Sequence, residues 1–251
     1  MQSLLSSEAN RQSVKKSDIY FSLVMRSLFF LGFGLIFVGI FTLKGSDHPF
    51  QEAEKWWPFQ VIFANLFTFI ILRFFLKKEG RQYGSLFQSG VDISRKKVRE
   101  YGVLFLLAVI GGAVPLYLFS YLFLGSIIPP DTHFQALPIG FAAIALILFP
   151  LSNALVETPT YIGYALPRLQ ASIGKIYVPI LLAGLALALQ HVFLPIVLQA
   201  DYMLWRLFSF IPLAIILGLF FTKTKRLLPI VIIHFLMDLQ LILQMFLNSL
   251  R

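Results

Sequence analysis

The chain contains no cysteine, so disulfides and thiolate metal sites are excluded, and the redox state of its compartment leaves no mark on the sequence. Charge is scarce. Asp, Glu, Lys and Arg together make up 13% of the 251 residues, whereas a soluble domain carries about 25%. There is no internal repeat, no soluble domain and no compact HExxH motif. What fills the chain instead is apolar. Hydrophobic residues account for 58%, mean hydropathy is +0.79, and several runs reach the ~20 residues that cross a bilayer. Any chemistry must therefore occur in or at the membrane. The net charge of +9 is not a nucleic-acid signature, because the basic residues cluster at the ends of apolar runs, where they face anionic lipid.

These features predict an all-α fold, a polytopic transmembrane helical bundle of about seven spans. Residues 1–20 are polar and too long and hydrophilic for a signal-peptide n-region, so the first span, residues 22–43, is expected to be uncleaved. Arg26 sits at its start, where it can snorkel to the headgroups, and Gly32, Gly34 and Gly39 allow close helix approach. Trp56 and Trp57 read as interfacial anchors before a second span at 58–76. The third runs over 102–124, the fourth begins near 136, and the fifth covers 176–198. After a short connection with Asp201, the sixth covers 205–221 and the seventh 228–247. Basic residues mark the N-terminal tail and every second loop. The positive-inside rule then places the N-terminus in the cytoplasm and the C-terminus outside. Residues 1–135 form a tail and three spans; residues 136–251 form a core of four.

That C-terminal half holds four ionisable groups in otherwise oily helices: Glu157, His191, His234 and Asp238. An acid at membrane depth costs roughly 3 kcal/mol on insertion scales unless it is paired, neutralised or hydrated. Pro159 follows Glu157 and removes the backbone donor for the carbonyl of Leu155, so the helix is expected to loosen beside the acid. Pro195 stands in the same relation to His191, whose carbonyl is left for water or a side chain. His234 and Asp238, four apart, share one helix face. A buried His–Asp bond or a lone buried histidine can simply glue helices together. Glutamate and histidine together also suit acid–base chemistry, because tuned pKa values bracket the working pH. On these boundaries His191 lies about 22 Å and His234 about 9 Å along their helices, at 1.5 Å per residue. They meet only if the fifth helix begins below the bilayer, or if a span tilts or breaks.

The order and intervals of these residues, over 136–238, resemble the signature of the CPBP intramembrane proteases. That family includes the type 2 CAAX prenyl endopeptidase and Abi-like bacteriocin-processing and self-immunity homologues. Its motifs are Glu-Glu-x-x-x-Arg, Phe-x-x-x-His and His-x-x-x-Asn/Asp on successive helices. Here they read Glu157-Thr158 through Ile162, Leu187 to His191, and His234 to Asp238. The departures are Thr158 for the second glutamate, Ile162 for the arginine and Leu187 for the phenylalanine. Loss of both members of an ion pair need not leave a buried charge, whereas loss of one would.

The resemblance implies that Glu157 and His191 activate a water for attack on a peptide carbonyl, with His234 and Asp238 stabilising the oxyanion. An ionised Asp238 would repel an oxyanion, so it is either protonated or orients His234 instead. No cofactor is firmly implied. The alternative is zinc held by Glu157, His191 and His234, since two histidines and a carboxylate form a known catalytic zinc set. The expected partners are membrane lipid and a membrane-associated peptide or protein substrate. The expected location is the plasma (inner) membrane of a bacterium. Two other readings stay open: a catalytically inactive relative that scaffolds or regulates a partner, which Thr158 and Ile162 favour, and a proton-coupled transporter, against which the absence of repeats argues.

Overall fold

In the computed structural model, residues 15–90 and 93–251 are described. The polar tail preceding Lys15 lies outside the described residues. Among the described residues nine α-helices follow in order: α1 (Lys16–Leu43), α2 (Pro49–Lys55), α3 (Trp57–Lys78), α4 (Arg95–Leu124), α5 (Ile139–Thr158), α6 (Leu166–Ile173), α7 (Tyr177–Gln190), α8 (Ala200–Thr224) and α9 (Leu228–Ser249). A π-helical turn, Pro159–Ala165, joins α5 to α6, and a 3-10 turn, His191–Phe193, ends α7. No strand occurs among the described residues.

Among the described residues six helical segments are long and apolar enough to cross a membrane, Ile139–Ile173 counting as one rod. The seventh apolar segment, Tyr177–Phe193, is shorter. The expected fifth span of 176–198 is therefore too long. Its helix stops at Gln190, and residues 194–199 are not helical. Helices α1, α4 and α8 begin earlier than their apolar runs suggest, because Lys16, Arg95 and Asp201 lie within the helices, not in loops.

The bundle exposes large apolar side chains and buries polar and charged ones within its apolar interior. Leu28, Ile36, Ile70, Phe74, Leu106 and Ile147 are exposed, while Arg26, Asn65, Asn153, Glu157, Gln190 and Arg206 are buried. That inversion suits lipid, which solvates leucine but not an unpaired amide or charge. The protein is an integral membrane protein on this evidence.

Polar contacts tie each end of the bundle. At one end Asp18 pairs with Lys78 at 3.1 Å, Arg168 pairs with Glu79, Gln170 donates to Thr222, and Arg226 donates to Tyr101. At the other end the Trp57 indole donates to the carbonyl of His133, Thr132 meets Tyr202, and Asn248 donates to the carbonyl of Phe134. The basic loops thus share one end, as alternate crossings require. Trp57 is not an interfacial anchor. It is buried against Phe149 and His133. Of the three α1 glycines, Gly34 meets a neighbour, the side chain of Ile196, while Gly32 and Gly39 face open space.

Helix α4 lies along α8, α7 against the other side of α8, and α9 along α5. Helix α1 contacts α3, α7 and the π turn, so the first helix of the chain reaches the C-terminal half. The largest apolar cluster reflects this, joining Ile19 and Leu23 to Ile162, Leu166, Leu187 and Ile230.

Candidate active site

The site begins with the proline after Glu157. Pro159 cannot donate to the carbonyl of Leu155, and the chain responds with the π turn, a wider coil often found at functional sites. The Leu155 carbonyl is met instead by the hydroxyl of Tyr83, from the 3-10 turn after α3. Burial pushes the Tyr83 hydroxyl above the ordinary phenol range, so it keeps the proton it donates.

Glu157 is 4% exposed. Its Oε2 lies 3.1 Å from Arg26 Nη2, and its Oε1 lies 3.8 Å from His234 Nε2. His234 Nε2 is also 3.2 Å from Asp238 Oδ2. An ionised Asp238 only accepts, so Nε2 carries the hydrogen, and Nδ1 faces the hydroxyl of Thr158 at 2.8 Å. Asn153 Nδ2 donates to the same Asp238 oxygen at 2.9 Å. Three of the four residues singled out from the sequence thus come together directly. The side chains of His234 and Asp238 keep 16% and 13% exposure.

His191 is placed differently. Among the described residues no hydrogen bond or ion pair joins it to Glu157, His234 or Asp238. Its Nδ1 lies 2.9 Å from the carbonyl of Leu187. A carbonyl only accepts, so Nδ1 carries the hydrogen and, in the neutral ring, Nε2 keeps a lone pair. The ring stacks on Phe210 with centroids 3.6 Å apart. The side chain that reaches the His191 carbonyl is Arg206, whose Nε donates at 3.3 Å while its Nη2 donates to the carbonyl of Leu194 at 3.2 Å. Arg206 therefore caps the end of α7 and neutralises its exposed carbonyls.

Arg26 links His191's neighbour to the acid cluster. Expected at the headgroups, it is fully buried, at 0% exposure. The reason is the true start of α1 at Lys16, which sets Arg26 about 15 Å along the helix at 1.5 Å per residue. Its guanidinium donates to Glu157, to Asn153 Oδ1 at 2.9 Å, to Asn65 Oδ1, and through Nε to Gln190 Oε1 at 2.6 Å. Arg26, Asn65, Asn153 and Gln190 are the site residues that sequence reasoning missed. The available signal was helical spacing: Ser22 and Arg26, like Asn65 and Thr68, form polar stripes on oily helices.

Two of the three motif departures have clear structural counterparts. Ile162 is packed in the main apolar cluster, and Thr158 holds His234. Neither leaves a charge unpaired. For zinc, the arrangement fits poorly. Among the described residues no three His, Asp or Glu groups are placed to hold a metal. Glu157 is occupied by Arg26, His234 has both nitrogens engaged, and His191 is bonded to neither.

The fold and this cluster define a polytopic membrane protein with an acid–imidazole centre buried among its helices. Residues 139–240, which carry all four predicted site residues, match the family described as Type II CAAX prenyl endopeptidase Rce1-like, in agreement with the resemblance read from the motifs. No curated protein and no solved structure matches the chain.

Proposed function

We propose that the chain is an intramembrane endopeptidase of the CAAX-protease-like type, acting on a membrane-associated peptide or protein. The observation that carries this reading is His234 standing between Glu157 and Asp238, within the segment that matches the family. Arg26 holds one oxygen of Glu157 and leaves Oε1 on the side of His234. The lone pair on His191 Nε2 suits a base that accepts a proton from water. Water oxygen then bonds to the peptide carbonyl carbon, its proton passes to Glu157 or His191, and the carbonyl oxygen takes up negative charge. Return of that proton to the amide nitrogen breaks the C–N bond and frees an amine and a carboxylic acid. Asp238, which accepts from His234 and Asn153, orients the imidazole and does not itself meet the oxyanion. The basic end of the bundle faces the cytoplasm, in the inner membrane of a bacterium.

The test uses proteoliposomes and two internally quenched peptides ending in a Cys-aliphatic-aliphatic-Xaa sequence, one farnesylated and one not. Cleavage is expected for the wild type and lost in Glu157→Ala and His191→Ala. Undiminished cleavage by both variants rules the site out. Zinc dependence would show as chelator inhibition reversed by zinc.

A second reading is favoured by one observation: both nitrogens of His234 are satisfied inside the protein. An inactive relative that scaffolds a partner would have such a closed network. It would keep its cellular phenotype in Glu157→Gln, and a protease would lose it.

A further inference from the structure

We propose that Gln190 supplies the hydrogen-bond donor for the substrate's carbonyl oxygen and that Arg26, from outside the family-matched segment, is the residue that positions it. This rests on the proteolytic reading above. Gln190 is the last residue of α7, immediately before His191, and it is fully buried. Its Oε1 accepts from Arg26 Nε at 2.6 Å and from the Tyr161 hydroxyl at 3.4 Å. Arginine has only donors, so the amide cannot turn over without setting N–H against N–H. The orientation is therefore fixed, and Nε2 is left as the free end. Among the described residues, Gln190 Nε2 has no hydrogen-bond partner. A buried donor without a partner is uncommon and calls for a reason.

The other side-chain nitrogens of the cluster each have a partner. Asn153 Nδ2 donates to Asp238, Asn65 Nδ2 donates to Ser152, and His234 is held at both nitrogens by Thr158 and Asp238. Arg26 makes four hydrogen bonds to side chains of the site with its five N–H groups, at least one from each nitrogen. Attack of water on a peptide bond places negative charge on the carbonyl oxygen. A donor fixed before the reaction stabilises that charge without reorganising. Gln190 Nε2 meets this description: Arg26 grips both Glu157 and the Gln190 oxygen, and so sets the distance between the acid and the donor.

The experiment compares Gln190→Glu, Gln190→Met and Arg26→Lys with wild type in the same proteoliposomes, using the farnesylated quenched peptide. Gln190→Glu keeps oxygens for Arg26 and Tyr161 but has no N–H to offer. Its thermal midpoint is expected to match wild type, with kcat reduced about 100-fold or more and KM little changed. Gln190→Met is expected to fall as far. Arg26→Lys keeps the charge but not the fork, and is expected to lose kcat while KM holds. A second readout is the affinity of a farnesylated peptide carrying a phosphinate in place of the scissile amide, which Gln190→Met is expected to weaken more than it weakens the parent peptide. The inference is overturned if both Gln190 variants keep kcat within about threefold of wild type while Glu157→Ala is inactive. If Glu157→Ala and His191→Ala remain fully active, the proteolytic reading itself has failed. A wild-type protein that cleaves neither peptide and binds the phosphinate no better than its parent overturns both.

Discussion

Replacing Arg26 by leucine should leave Glu157 without its counter-ion, buried among α1, α3, α5 and α7. The guanidinium is fully buried and its pair with Glu157 is 3.1 Å long. Breaking such a pair from one side costs about 3–5 kcal/mol, and the oxygens of Asn65, Asn153 and Gln190 lose a donor as well. Arg26→Leu is therefore expected near 5 kcal/mol of destabilisation at neutral pH. Glu157→Leu is expected nearer 3 kcal/mol, because the guanidinium keeps its three amide acceptors. The double variant should be about 3 kcal/mol less destabilised than the sum of the singles. Reversible unfolding by SDS in bicelles, followed by tryptophan fluorescence, measures the two singles and the double variant. Additivity within about 0.5 kcal/mol would refute the pairing.

Two smaller predictions concern the supports of the site. Tyr83→Phe removes the donor to the Leu155 carbonyl beside the π turn and should cost about 1–3 kcal/mol, with faster amide exchange confined to residues around Pro159; uniform or unchanged exchange would count against the role. His133 is buried outside the spans, and desolvation, with Arg206 nearby, holds its pKa well below the usual imidazole range. The unfolded chain therefore takes up a proton near the ordinary value of about 6.5 that the folded chain refuses. Stability should fall as pH drops below that value, and His133→Leu should flatten the slope of thermal midpoint against pH; an unchanged slope would contradict the assignment.

The spans were legible because lipid demands long apolar runs, and Lys77 to Arg99 marked the end to which alternate crossings return. The meeting of Glu157, His234 and Asp238 was legible too, since a four-residue interval fixes one face and an acid in oil requires company. Arg26 was not. Composition placed the membrane boundary at the first apolar residue, whereas α1 starts at Lys16 and carries the arginine inward. Its partners are three neutral amides and one acid from three other helices, and neutral amides give no charge pattern along the chain. Pro195 showed where a carbonyl would be freed, but only packing of α8 against α7 could reveal that Arg206 fills the gap.

The most direct measurement runs the farnesylated peptide in water enriched in oxygen-18 and analyses the products by mass spectrometry, wild type beside Glu157→Gln, a change that keeps shape and removes the base. The account predicts one labelled oxygen in the new carboxylate from wild type and no product from a folded Glu157→Gln. Labelled product from Glu157→Gln at the wild-type rate would contradict it.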